Sequence, residues 1–156
     1  MKKLFSQLNA VFLALGIGQL LFCAAAIYIR SQGSASFDLA DDNSATLAMV
    51  TPFLALGAFA AAWAIHKMRV AQGAALKELA EKLVHYRTTV LLRAAMIEGG
   101  NIILLIVYLL NGAPIHLVWF GAGILFFAYF RPSPNAFVRD YQLPNNEERE
   151  LMQHMK

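Results

Sequence analysis

The sequence predicts an all-α integral membrane protein: a four-helix bundle whose second and third helices extend into the cytoplasm. Three observations carry this. The 156-residue chain is 58% hydrophobic and only 15% charged, with a mean hydropathy of +0.51. Soluble chains run at about 45–50% apolar and about 25% charged. Apolar runs recur along the chain, and the basic residues are distributed unevenly among the segments that join them.

The first run, 11–29, is broken only by Gly16, Gly18 and Gln19. Lys2 and Lys3 precede it and Ala24, Ala25 and Ala26 lie near its end, the arrangement of a signal peptide. A signal peptide's apolar region spans about 7–15 residues. This run is longer, so a retained helix is expected. Phe22 stands where a lipoprotein signal needs a small residue before its cysteine. The second run, 47–65, carries Thr51 and Pro52 near its start. The third and fourth, 94–110 and 115–130, are short of the roughly 20 residues that cross a bilayer unless they borrow neighbours such as Val90, Leu91 and Leu92. Helices are expected over about 4–29, 46–72, 74–111 and 115–130, forming a transmembrane domain 1–131 followed by a tail 132–156.

Basic residues set the expected orientation. Lys2 and Lys3 precede the first helix. Lys67, Arg69, Lys77, Lys82, Arg87 and Arg93 lie between the second and third, and Arg131, Arg139, Arg149 and Lys156 follow the fourth. The other two connections hold Arg30 and no further Lys or Arg. Both termini and the central connection are therefore expected in the cytoplasm of a bacterial inner membrane, and the lipid bilayer is the first partner. The loop 30–45, with Asp38, Asp41 and Asp42, belongs on the other side. It lacks the spacing of a calcium loop, and Asp42, Asn43 or Ser44 is expected to cap the second helix.

The central connection reads as helix. In 74–93 the residues Leu76, Leu79, Ala80, Leu83, Val90 and Leu91 recur at helical spacing, with Lys77–Glu81 and Glu78–Lys82 pairs. A helix starting near Gly73 would form a projecting hairpin with the end of the second helix, packing its apolar stripe on that partner, on another protein or on the membrane surface. In the tail, Arg131-Pro132-Ser133-Pro134 stops the fourth helix. Ser133 and Pro134 suit the start of a short helix with Phe137, Val138 and Tyr141 on one side. Glu147 and Glu148 suit the first turn of another, striped by Leu151, Met152 and Met155. The tail is expected to lie back on the hairpin or on the membrane surface.

The formal charge of +3, without basic patches interleaved with aromatics, gives no sign of nucleic-acid binding. One cysteine, Cys23, permits neither an internal disulfide nor a cysteine-rich metal site. His66 and His116 fall near opposite membrane faces and His85 has no ligand partner at helical spacing, so neither metal nor cofactor is expected. Trp63, Trp119, Tyr108 and Tyr129 suit bilayer ends or helix interfaces.

An intramembrane carboxylate is a functional-site candidate by default. Glu98 follows Arg93 by five residues, about 8 Å along a helix, which puts it in the cytoplasmic leaflet. Asn101 shares its face, and Gln19 lies at similar depth in the first helix. Ala95 and Gly99, with Ala14 and Gly18, give small-residue spacings for close contact between the first and third helices. Glu98, Asn101, Gln19 and Arg93 thus form the candidate intramembrane polar cluster, with Glu98 expected to face inward and hydrogen-bond Gln19, Asn101 or an arginine.

The stretch Ala95-Met96-Ile97-Glu98-Gly99-Gly100 is superficially similar to the proton-carrying helix of rotary-ATPase proteolipids. Those keep their acid on an even-numbered helix and are glycine-rich, whereas this acid is on the third helix and the chain has 10 glycines. Arg93, Glu98-Gly99-Gly100 and Tyr108-Leu109-Leu110-Asn111-Gly112, followed by Arg131-Pro132-Ser133-Pro134 and Arg139-Asp140-Tyr141-Gln142-Leu143, resemble an uncharacterised family of small four-helix inner-membrane proteins of bacteria, over the C-terminal half of the chain. That resemblance implies no activity. With no nucleophile–base constellation or phosphate loop in the sequence, the expected role is a non-enzymatic accessory or assembly subunit of a larger membrane complex. The alternative is a small proton-coupled transporter using Glu98.

Overall fold

A computed structural model describes residues 1–33 and 41–154, excluding the side chains of 41–45. Among them are six helices and no strand: α1 Lys2–Ser31, α2 Asp41–Ala74, α3 Leu79–Asn111, α4 Ile115–Tyr129, α5 Pro134–Tyr141 and α6 Asn145–Gln153. The loop with Asp38 lies outside the described residues. The side chains of Asp42, Asn43 and Ser44, expected to cap α2, lie outside the described residues too.

Among the described residues, three helices are long and apolar enough to cross a membrane alone: α1, residues 46–74 of α2, and α3. At 1.5 Å per residue, α1 and α3 are about 45 and 50 Å long against a hydrocarbon core of about 30 Å, so both reach beyond it. α4, at 15 residues, is only about 22 Å long. It meets the spanning test only together with α5, which is bent from it by 80°.

α3 is the central helix. Half of its most apolar window is buried, against 17% for α1 and 22% for α2. It packs on α2 along most of its length and also on α4 and α1. Close approach is made by glycines other than those the small-residue spacing suggested. Gly100 of α3 sits against Ala58 and Phe59 of α2, Gly123 of α4 against Asn101 and Phe59, and Gly16 of α1 against Phe127. Gly18 and Gly99 have open space beside them, and Ala14 and Ala95 are exposed. The buried positions Gln19 and Gly100 each follow these glycines by one residue, a turn of about 100° that takes Gly18 and Gly99 off the contact face.

α3 begins at Leu79 rather than 74. Residues 75–78 form the reversal, with Ala75 and Leu76 amides donating to the Gln72 and Gly73 carbonyls, and Glu78 is extended at the N-cap. Antiparallel helices need such a short irregular link, and it overrides the periodicity through Leu76.

Two apolar clusters result. One fills the bundle, from Phe12, Phe59, Ile97, Leu104 and Phe120 to Phe127, with Phe12 and Phe127 stacked at 4.1 Å. The other lies where the tail folds back, joining Phe5 and Leu8 of α1, Leu83, Tyr86 and Val90 of α3, and Phe137, Tyr141 and Leu151 of the tail. α5 is capped by Ser133, whose Oγ accepts from the Ala136 amide at 3.1 Å, and Pro134 opens the helix. Lys82 of α3 donates to Glu147 of α6 at 2.7 Å, with both side chains largely buried.

Gly73, in the last turn of α2, is buried under the Tyr141 ring and His85 Nδ1, both of which an added Cβ would meet. Gly73→Ala should therefore lift the tail off the hairpin. Limited trypsin digestion in detergent should cut at Arg139 and Arg149 several times faster than in the parent, while the bundle stays intact.

Candidate functional site

The candidate polar residues separate into three environments. Gln19 and Asn101 meet in the bundle core, 2% and 0% exposed, with Asn101 Nδ2 donating to Gln19 Oε1 at 2.7 Å. Gln19 Nε2 and Asn101 Oδ1 have no hydrogen-bond partner among the described residues, and Asn101 Oδ1 lies against Gly123. Exchanging both amide ends would leave the same count of one bond and two orphans. Such interhelical bonds average about 0.6 kcal/mol in membranes, so this pair specifies how α1 faces α3 more than it stabilises.

Glu98 is not part of that pair. It is half-buried and makes no hydrogen bond or ion pair among the described residues. The expected hydrogen bond to Gln19, Asn101 or an arginine is not made: Asn101 pairs with Gln19, and Arg93 with His66 and Phe130.

Arg93 lies at the other environment, where the bundle meets the tail, and is 4% exposed. Its Nη2 donates to the Phe130 carbonyl and its Nη1 to His66 Nδ1, each at 2.8 Å. Its guanidinium carbon stands 4.1 Å from the centre of the Phe130 ring. Arginine has donors only, so His66 Nδ1 must be the acceptor. The imidazole is thereby held neutral, with its proton on Nε2, which points toward Asp140 at 3.8 Å. Asp140 is itself paired with Arg139 at 2.9 Å. Phe130 is the C-cap of α4, so Arg93 also supplies a cation where the helix dipole is negative.

Beside this knot opens a cavity of about 250 Å³, lined by Trp63, His66 and Lys67 of α2, Arg93 of α3, Tyr129, Phe130 and Arg131 at the end of α4, and α5. Its rim holds Lys67, whose Nζ sits 5.4 Å from the Trp63 ring centre.

A third network secures the tail beneath it. The Arg69 Nε donates to Thr89 Oγ1 at 3.0 Å, Thr89 donates to the His85 carbonyl, and the Tyr141 hydroxyl lies 2.7 Å from His85 Nδ1. Burial raises the Tyr141 pKa above the usual phenol range. The phenol therefore stays protonated as the donor to His85.

The contacts of His66 with Arg93 and of Asp140 with His66 were missed in the sequence. They join residues far apart along the chain, where no local spacing signals a pair. His116 is fully buried at the far end of the bundle. Asn111, whose Oδ1 accepts from the Ala113 amide, donates to His116 Nε2 at 3.1 Å. Among the described residues no three His, Cys, Asp or Glu side chains are placed to hold a metal. No protein-family model, curated protein or solved structure matches the chain.

Two outcomes follow in detergent unfolding. Glu98→Gln and Glu98→Leu should both stay within about 0.5 kcal/mol of the parent, whereas Asn101→Leu, which strands Gln19, should cost about 1–3 kcal/mol. Arg93→Lys should also cost about 1–3 kcal/mol, because one ammonium cannot reproduce the stacking and the forked donation to His66 and Phe130.

Proposed function

We propose that the protein is a non-enzymatic accessory or assembly subunit of a larger membrane complex, seated in a bacterial inner membrane with both termini and the α2–α3 hairpin in the cytoplasm. The orientation follows from the basic residues clustered at the termini and hairpin. The role follows from what the α2–α3 hairpin and its docked tail leave open. The tail covers one side of the hairpin with Phe137, Tyr141 and Leu151. On another side a shallow groove of about 580 Å³ remains, lined by Leu76, Ala80 and Val84 and edged by Arg69, Glu81 and Thr88. Val84, 65% exposed at its centre, is the observation that carries the reading. Leu76 from the reversal and Ala80 and Val84, one turn apart on α3, give the groove an apolar floor of the kind that receives the apolar face of an amphipathic helix. The clamped tail makes this groove a fixed platform, so a partner would bind without first ordering it.

The test is purification of the tagged protein in mild detergent. A membrane complex should co-purify with the parent and be lost with Val84→Asp, whose melting temperature should be unchanged. If the parent purifies alone, and reconstituted vesicles show proton flux that Glu98→Gln abolishes, the transporter alternative replaces the accessory role.

A further inference from the structure

We propose that the cavity between α2, the end of α4 and α5 is a binding site for the phosphate of an anionic phospholipid. This goes beyond the accessory role. It rests on bilayer insertion of the long helices and not on the hairpin groove.

Four cations line the cavity: Lys67, Arg93, Arg131 and Arg139. Asp140 is the one carboxylate among its lining residues, and it pairs with Arg139, so the two offset each other and Lys67, Arg93 and Arg131 are left to face an anion. His66 adds no charge while its Nδ1 accepts from Arg93. Arg93 is the decisive member. Both of its hydrogen-bond partners, His66 and the Phe130 carbonyl, are neutral, so a nearly buried guanidinium has no anion in contact. A guanidinium carries five N–H donors, and these bonds use two nitrogens. Arginine forks and a lysine around one cavity match the oxygens of a phosphate.

The setting selects a lipid over a soluble phosphate. Trp63 and Tyr129, 41% and 70% exposed, stand at the same cavity, and such aromatics mark the headgroup level of a bilayer. Arg131 lines a second, apolar cavity of about 300 Å³ between α1 and α4, with Phe12, Ile17, Leu20, Ile124 and Phe127. A phosphate held by Arg131 would leave its acyl chain beside that groove. Basic pockets between helices on the cytoplasmic side are where anionic headgroups bind.

The experiment measures binding of phosphatidylglycerol, phosphatidylcholine and inorganic phosphate to the full-length protein in dodecyl maltoside. The parent should bind phosphatidylglycerol over phosphatidylcholine. Lys67 and Arg131 are exposed, so Lys67→Gln with Arg131→Gln should preserve the melting temperature. That pair should bind phosphatidylglycerol roughly thirtyfold more weakly, from about 1 kcal/mol per interfacial cation. Lys77→Gln, on the hairpin outside the cavity, should bind as the parent does. Equal binding of the two lipids, or unchanged affinity in the double variant, would overturn the site. Inorganic phosphate bound as tightly as phosphatidylglycerol would overturn the lipid assignment.

Discussion

The arrangement turns on one buried guanidinium. Arg93 leaves α3 and reaches α2 through His66, the end of α4 through the Phe130 carbonyl, and the Phe130 ring by stacking. Burying a charge is expensive, and it persists only where hydrogen bonds compensate. Here the compensation comes from groups on two other helices, so withdrawing either helix would strand the charge. That requirement fixes the rotation of α3, the height at which α4 stops, and the direction in which the chain leaves for α5. Asp140, on α5, then reaches His66, so the tail is held to the same point.

The opposite end of the bundle is closed by a similar device. Arg30, at the end of α1, donates to the Leu109 carbonyl in the last turn of α3 at 3.3 Å. The guanidinium lies against Gly112, which has φ +71° and caps the helix. Only glycine both adopts that conformation freely and leaves room for the arginine. The last carbonyls of α3 and α4 thus each meet an arginine from a neighbouring helix. Between these ends the interhelical contacts are mostly apolar, with Gln19–Asn101 the polar exception. Apolar packing is weakly directional, so register is set where the donors are.

What was legible in the sequence follows from this division. Long apolar runs and the helical spacing of 74–93 depend on local pattern, and α1, α2 and α3 follow from them. The start of α3 was not legible, because Leu76 keeps helical spacing into a turn, whereas the end of α3 at Asn111 and the extent of α4, Ile115–Tyr129 before Arg131-Pro132-Ser133-Pro134, follow the local pattern. The polar cluster was half legible. Gln19 and Asn101 are apolar-face amides and had to meet something. Glu98 looked equivalent because it is one turn from Asn101, yet Asn101 and not Glu98 meets Gln19. The pairs Gly73–His85, Arg69–Thr89, His66–Arg93 and Phe59–Gly100 step along the hairpin in one antiparallel register. No single residue announces that register, because it depends on how the four-residue reversal at 75–78 is folded.

The tail is better understood as a continuation of the bundle than as an appendage. Where α1, α2 and α3 run past the length a bilayer covers, their inner faces still carry Phe5, Leu8, Leu83, Tyr86 and Val90. Outside lipid those side chains would meet water at about 25 cal/mol per Å² exposed. α5 and α6 cover them with Phe137, Tyr141 and Leu151, and polar ties set the angle: Lys82 to Glu147, Tyr141 to His85, and Tyr86, whose hydroxyl lies 3.3 Å from the Ser133 amide. Buried ion pairs contribute little net stability once desolvation is counted. Lys82–Glu147 therefore acts mainly to choose the docked position, while the aromatics supply the attraction. The same short tail that shields one side of the hairpin also builds the wall of the basic cavity through Ala136, Arg139 and Asp140. Loosening the tail would therefore uncover Phe5, Leu8 and Tyr86 and remove one wall of that cavity in the same step.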